Sequence, residues 1–157
     1  MMAPEAGMAS RIRQAVLERG EERFLRDMEA ISAAERREVF QLLGVPRNAA
    51  GASARQRTVR RIRAAWEHLA KESDDEAAET LARHYLARHR MDMICAFLDR
   101  LEVPHRDGYL QDDAALGQIP AERLTVVLRS LADEHEPEDV RLYAALMDLP
   151  EPEGEAA

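Results

Sequence analysis

One cysteine, one lysine, seven glycines and 4% aromatic residues leave this 157-residue chain little material for several kinds of chemistry. Cys95 is the only cysteine, so an intramolecular disulfide is excluded and a reducing compartment fits best. The glycines form no Gly-x-Gly-x-x-Gly fingerprint, no Gly-Lys-Ser/Thr phosphate loop and no Gly-x-Ser-x-Gly elbow. No apolar run approaches the 18 residues that a membrane-spanning helix needs. The first residues, Met1 to Gly7, lack the basic start and apolar stretch of a signal peptide. A cytoplasmic protein with no membrane association and no cofactor is the expectation. Lys71 is the single lysine, and the remaining basic side chains are arginines, a bias that base composition explains as well as phosphate binding.

Alanine, leucine, arginine and glutamate, all good helix formers, are plentiful. At 157 residues, one domain buries enough apolar surface to need no metal or disulfide. The net charge of −8 keeps the chain soluble and argues against a general affinity for nucleic acid or anionic lipid.

Apolar residues recur at helical spacing throughout, with no sustained strand-like alternation. Met8, Ile12, Ala15 and Val16 mark a first helix; Phe24, Met28 and Ile31 mark a second. Ser32-Ala33-Ala34-Glu35 is a capping box opening a third, which ends at Gly44 and Pro46. Val59, Ile62, Trp66 and Leu69 stripe a fourth helix. Ser73-Asp74-Asp75-Glu76, a second capping box, opens a fifth bearing Leu81 and Tyr85. A sixth carries Ile94, Phe97, Leu98 and Leu101, and its continuity with the fifth near His89–Asp92 is undecided. Pro120 and Pro137 suit the first turns of two more helices. The expected fold is an all-α compact bundle of seven to eight short helices, with stacked helical hairpins as a variant. Its expected limits are a disordered segment 1–7, one helical domain over 8–149 with a candidate internal boundary at 47–54, and a disordered acidic tail over 150–157.

Three helix ends share a pattern. Phe40-x-x-Leu43-x-Val45-Pro46, Phe97-x-x-x-Leu101-x-Val103-Pro104 and Tyr143-x-x-Leu146-x-x-Leu149-Pro150 all leave an aromatic-bearing helix through Leu, an apolar residue and Pro. Their unequal spacing favours shared helix-stop chemistry over an internal repeat.

Charge is unevenly placed. From Val39 to Trp66 there is no acidic residue, yet Arg47, Arg55, Arg57, Arg60, Arg61 and Arg63 all fall there. Lying off the apolar stripe, they are expected to form an exposed basic ridge. Such a ridge can receive an acidic protein partner, the acidic C-terminal stretch of its own chain or of a second copy, or a phosphate backbone. The preceding Val39–Val45 resembles the first half of a helix-turn-helix only faintly. Phe40 is too bulky for the close helix crossing, and Asn48-Ala49-Ala50-Gly51 offers poor recognition chemistry.

The segment 105–113 is densest in reactive side-chain types. His105, Asp107, Tyr109, Asp112 and Asp113 are candidates for a carboxylate-rich metal site or an acid–base pair. The bland alternative is a polar turn at Asp107-Gly108, with Asp112 capping a short helical turn through Leu116. His68, His84, His89 and His135 include no i, i+4 pair, so no two-histidine metal site is written into one helix face. Cys95, between Ile94 and Phe97, reads as a packed small hydrophobe.

These features rank three functions. A non-catalytic protein-interaction or regulatory module comes first. A nucleic-acid binder using the Arg47–Arg63 segment comes second, and a metal-dependent hydrolase centred on 105–113 third.

Overall fold

Helical periodicity translates into eight α-helices across residues 11–47, 53–71 and 75–152, which are the residues this computed structural model describes. They are α1 (Arg11–Arg19), α2 (Glu21–Ala30), α3 (Ala33–Leu43), α4 (Ala54–Lys71), α5 (Glu76–His89), α6 (Met91–Arg100), α7 (Ala121–Glu134) and α8 (Pro137–Leu146). A two-stranded hairpin, β1 (His105–Arg106) with β2 (Tyr109–Leu110), and a 3₁₀ turn at Leu116–Gln118 separate α6 from α7. The N-terminal segment with Met8, loop residues Asn48 to Gly51, Ser73 and Asp74 of the second capping box, and the tail beyond Pro152 lie outside the described residues. The chain divides into two compact units between Tyr85 and Leu86, within α5. The candidate boundary at 47–54 falls largely outside the described residues.

In unit 1, α2 packs against α1 and α4, and α3 packs against α4. Phe24 and Met28 of α2 and Ile62 and Leu69 of α4 are almost wholly buried. The Phe24 ring meets the half-buried Trp66 ring at 5.3 Å between centroids. Charge is buried here too. Asp27 is 5% exposed and accepts from Arg19 at 2.7 Å and from Arg23 at 3.4 Å. Arg23 also donates to the Tyr85 hydroxyl at 3.1 Å, and the Arg19 guanidinium lies 5.3 Å from the Tyr85 ring centroid. A carboxylate removed from water needs such partners to remain ionised without a large cost.

The Ser32 capping box forms as the sequence predicts: Glu35 N–H donates to Ser32 Oγ, and Ser32 N–H donates to Glu35 Oε1. The three similar helix ends also share one geometry. Val45, Val103 and Leu149 N–H donate to the carbonyls of Phe40, Leu98 and Ala144, each five residues back. The residue before each donor, Gly44, Glu102 or Asp148, has φ between 58° and 68°. These are Schellman closures, in which a left-handed residue lets the last carbonyls find donors and an apolar residue folds back onto the helix. Helix-stop chemistry therefore accounts for the recurring pattern.

In unit 2, α7 packs against α6 and α8, and Phe97 meets Tyr143 edge-on at 5.5 Å. Helix does not run through 89–91. Arg90 has φ −134° and ψ 27°, and its Nε donates to the fully buried Asp139 in the first turn of α8. Pro137 occupies the first turn of α8, whereas Pro120 stands one residue before α7, at its N-cap. The hairpin, absent from the purely helical expectation, turns at Asp107 (φ 53°) and Gly108 (φ 89°). Two consecutive left-handed residues are what a two-residue hairpin loop requires. A Cβ at Gly108 would collide with Met91 Sδ, so the turn is pressed onto the start of α6.

Candidate functional site

The most distinctive surface lies in unit 1, where the first turns of α3 and α4 flank one cavity of about 270 Å³. Its lining is Ala33, Arg36, Arg37 and Phe40 from α3, Arg47 beyond it, and Ala54, Arg57, Thr58 and Arg61 from α4. Five of these nine residues are arginines and none is acidic.

Helix geometry explains the gathering. Positions 33, 36, 37 and 40 share one face of α3, and 54, 57, 58 and 61 share the equivalent face of α4, at about 100° per residue. The acids of α3 point elsewhere: Glu35 and Glu38 meet His84, at 3.5 Å and 3.1 Å. On α4 the remaining arginines leave the cavity. Arg55 pairs with Glu29 at 3.4 Å, and Arg63 with Glu21 at 3.1 Å and Glu22 at 3.6 Å. Arg60 is exposed and outside the lining. Both flanking helices also begin with the same device. Ser53 and Gln56 form a capping box on α4 matching that of Ser32 and Glu35 on α3, with both bonds at 3.1 Å. Two positive helix ends thus share a side with the guanidiniums.

Arg61 anchors the cavity floor. Its guanidinium carbon lies 4.3 Å from the Phe40 ring centroid, and one terminal nitrogen donates to the Val45 carbonyl at 3.1 Å. Its Nε is buried without a hydrogen-bond partner. Burial lowers the Arg61 pKa, and the charges of Arg47 and Arg37 lower it further. Arg36 spends one nitrogen closing α2, donating to the Met28 and Ile31 carbonyls at 2.9 Å and 3.3 Å. His68 Nδ1–H donates to the Leu43 carbonyl at 2.9 Å, tying α4 to the end of α3. The cleft is therefore held from both sides by hydrogen bonds that do not consume its charge.

Of the six arginines in the sequence segment, Arg47, Arg57 and Arg61 come together, while Arg55, Arg60 and Arg63 do not join them. Arg61 is half-buried and stacked, unlike a residue of an exposed ridge. Arg36 and Arg37 were missed because they lie between Glu35 and Glu38 in sequence. The detectable signal is the i, i+4 spacing of Arg36 and Arg37 with Ala33 and Phe40.

The 105–113 segment is organised as a turn. Gly108 N–H donates to His105 Nδ1 at 3.0 Å, which leaves the proton on Nε2 to donate to Asp99 at 2.7 Å. Asp112 Oδ1 accepts from Ala114 N–H at 3.0 Å, just before the 3₁₀ turn. Asp107, Asp113 and Tyr109 are exposed. Among the described residues, no three His, Cys, Asp or Glu side chains are arranged to hold a metal ion. Cys95 is half-exposed instead of fully packed. Burial raises its thiol pKa, and the carboxylates of Asp99, Asp107 and Asp92 push it in the same direction.

No family model, no curated protein and no solved structure matches this chain. Its function is therefore read from the geometry of the cleft.

Proposed function

We propose that this all-α protein is a non-catalytic interaction module that docks an acidic segment of a protein partner onto the arginine cleft between α3 and α4. The observation carrying this reading is the convergence of Arg36, Arg37, Arg47, Arg57 and Arg61 on one cavity with no carboxylate in its lining. Gathering like charges raises the free energy of the isolated unit, and an anion entering the cleft relieves it. In a chain with a net charge of −8, a positive cleft is a selective feature, because the remaining charge is strongly negative.

A nucleic-acid backbone fits this surface less well. It needs cations spaced along a track, and Arg55 and Arg63, which would extend the track along α4, already meet glutamates.

Fluorescence anisotropy of a labelled acidic peptide against the full chain tests the docking reading. Binding is expected to weaken steeply with salt and to be lost in the Arg37→Glu/Arg47→Glu double variant. The Arg55→Glu/Arg63→Glu variant, with the same change in net charge, should keep it. Equal loss in both variants would reduce the effect to overall charge and sink the assignment to the cleft.

A further inference from the structure

Building on the docking reading, we infer that the chemical group recognised in the cleft is a phosphomonoester dianion carried on a side chain of the partner, such as a phosphoserine or phosphothreonine.

Two features separate this from recognition of carboxylates. First, the positive charge is concentrated: five arginines and no acidic residue line one cavity of about 270 Å³, while the flanking Arg55 and Arg63 of α4 meet glutamates. A phosphomonoester carries close to two charges at neutral pH and offers three strong acceptor oxygens, where a carboxylate has one charge and two oxygens. Second, the arginines approach from separate elements. Arg36 and Arg37 come from α3, Arg47 from the segment after it, and Arg57 and Arg61 from α4. Donors arriving from several directions suit the three-dimensional spread of a tetrahedral group, whereas a planar carboxylate is served by donors in one plane.

The cavity is also small. Its volume falls just under the usual range for sites that enclose drug-sized ligands. A phosphoryl group and part of the peptide bearing it fit within such a space. Arg37 and Arg47 are both exposed and make no ion pair among the described residues, so their guanidiniums can turn to the ligand without breaking a structural contact. Arg61 is the fixed element, held by Phe40 and the Val45 carbonyl.

The test measures binding of three labelled peptides of one sequence to the full chain: phosphoserine, glutamate and unmodified serine at the central position. Inorganic phosphate and a short single-stranded DNA serve as competitors. The phosphopeptide is expected to bind at least tenfold more tightly than the glutamate peptide at pH 7.5. That advantage should shrink severalfold between pH 7.5 and 5, as the phosphate loses its second charge near pH 6. Arg37→Ala and Arg47→Ala should each weaken phosphopeptide binding about tenfold, with Arg55→Ala and Arg63→Ala within twofold of the unaltered chain. Unchanged circular dichroism would show that these surface variants remain folded. Equal affinity for the glutamate and phosphoserine peptides overturns the phosphate inference and leaves acidic docking standing. Inorganic phosphate binding as tightly as the phosphopeptide supports the phosphate chemistry but overturns a protein partner as its source. Tighter binding of the DNA, weakened equally by the Arg55 and Arg63 variants, overturns both readings.

Discussion

Replacing Asp27 by asparagine tests whether buried charge holds unit 1 together. The substitution preserves shape and removes one negative charge from between two guanidiniums. Arg19, Arg23 and Asp27 have side chains that are 4%, 10% and 7% exposed, so water can do little to solvate the charges left behind. A full charge–charge contact near 4 Å is worth about 4 kcal/mol at an effective dielectric constant of about 20. Removing one member of a buried pair generally costs about 3–5 kcal/mol. Other contacts of Arg19 and Arg23, including the Tyr85 hydroxyl and ring, keep part of that energy. The lower end, about 3 kcal/mol, is therefore expected. Against a domain stability of about 5–15 kcal/mol, such a loss is severe.

Trp66 is the reporter for this measurement. It is the only tryptophan, it belongs to unit 1, and it packs on Phe24 in the same helix as Asp27. Urea unfolding followed by its fluorescence should show a midpoint lowered by about 1–3 M, taking a denaturant dependence of about 1–3 kcal/mol per molar. A drop below about 0.3 M would refute the reasoning, because it would place the trio among exposed ion pairs of little net value. Replacing all three charges by apolar residues of similar volume should recover most of the loss, since no charge then remains buried without a partner.

Gly44→Ala should cost about 1 kcal/mol in urea midpoint measurements, because φ 68° strains any residue with a Cβ, while Glu102→Gly and Asp148→Gly should each gain about 0.5–1 kcal/mol; gains and losses of the opposite sign would remove the Schellman account. Cys95 should react with a thiol reagent more slowly than a free cysteine at pH 8, and faster once Asp99→Asn removes a neighbouring charge; a thiol as reactive as the free amino acid would contradict its environment. Burial pushes the Tyr143 phenol above its ordinary value, so above about pH 10 the unfolded chain ionises there while the folded chain stays protonated. This contribution, complete below that pH, is then lost by about 1.4 kcal/mol per pH unit as pH rises, and Tyr143→Phe should remove it from alkaline unfolding curves, leaving the part that the raised Cys95 thiol adds.

What could be read from the sequence follows the range over which each feature is decided. Helices, the Ser32 box and the three Schellman ends depend on residues within about five positions of one another, and all were legible. The Ser53–Gln56 box is just as local, and its Ser-x-x-Gln spacing is a readable signature that is passed over when Arg47 to Ala54 is taken as loop. The break between α5 and α6 is different, because its side-chain partner, Asp139, lies 49 residues away. No periodicity in 85–95 announces it.

The cleft shows the same limit at the site. Counting arginines along a segment without acids picks out Arg47, Arg57 and Arg61 but also the exposed Arg60, and Arg55 and Arg63, which face glutamates of α2. Such a segment starts only after Glu38 and so leaves out Arg36 and Arg37, although a helix sends neighbours in sequence to different faces at about 100° per residue. Folding α3 at that angle separates its arginines from its glutamates into two sectors before any partner helix is considered. Charge on a helical protein is therefore better read by face than by run. What a face-by-face reading still lacks is the pairing of α3 with α4, which brings two arginine faces of modest charge to one cavity and makes a binding site from two ordinary helices.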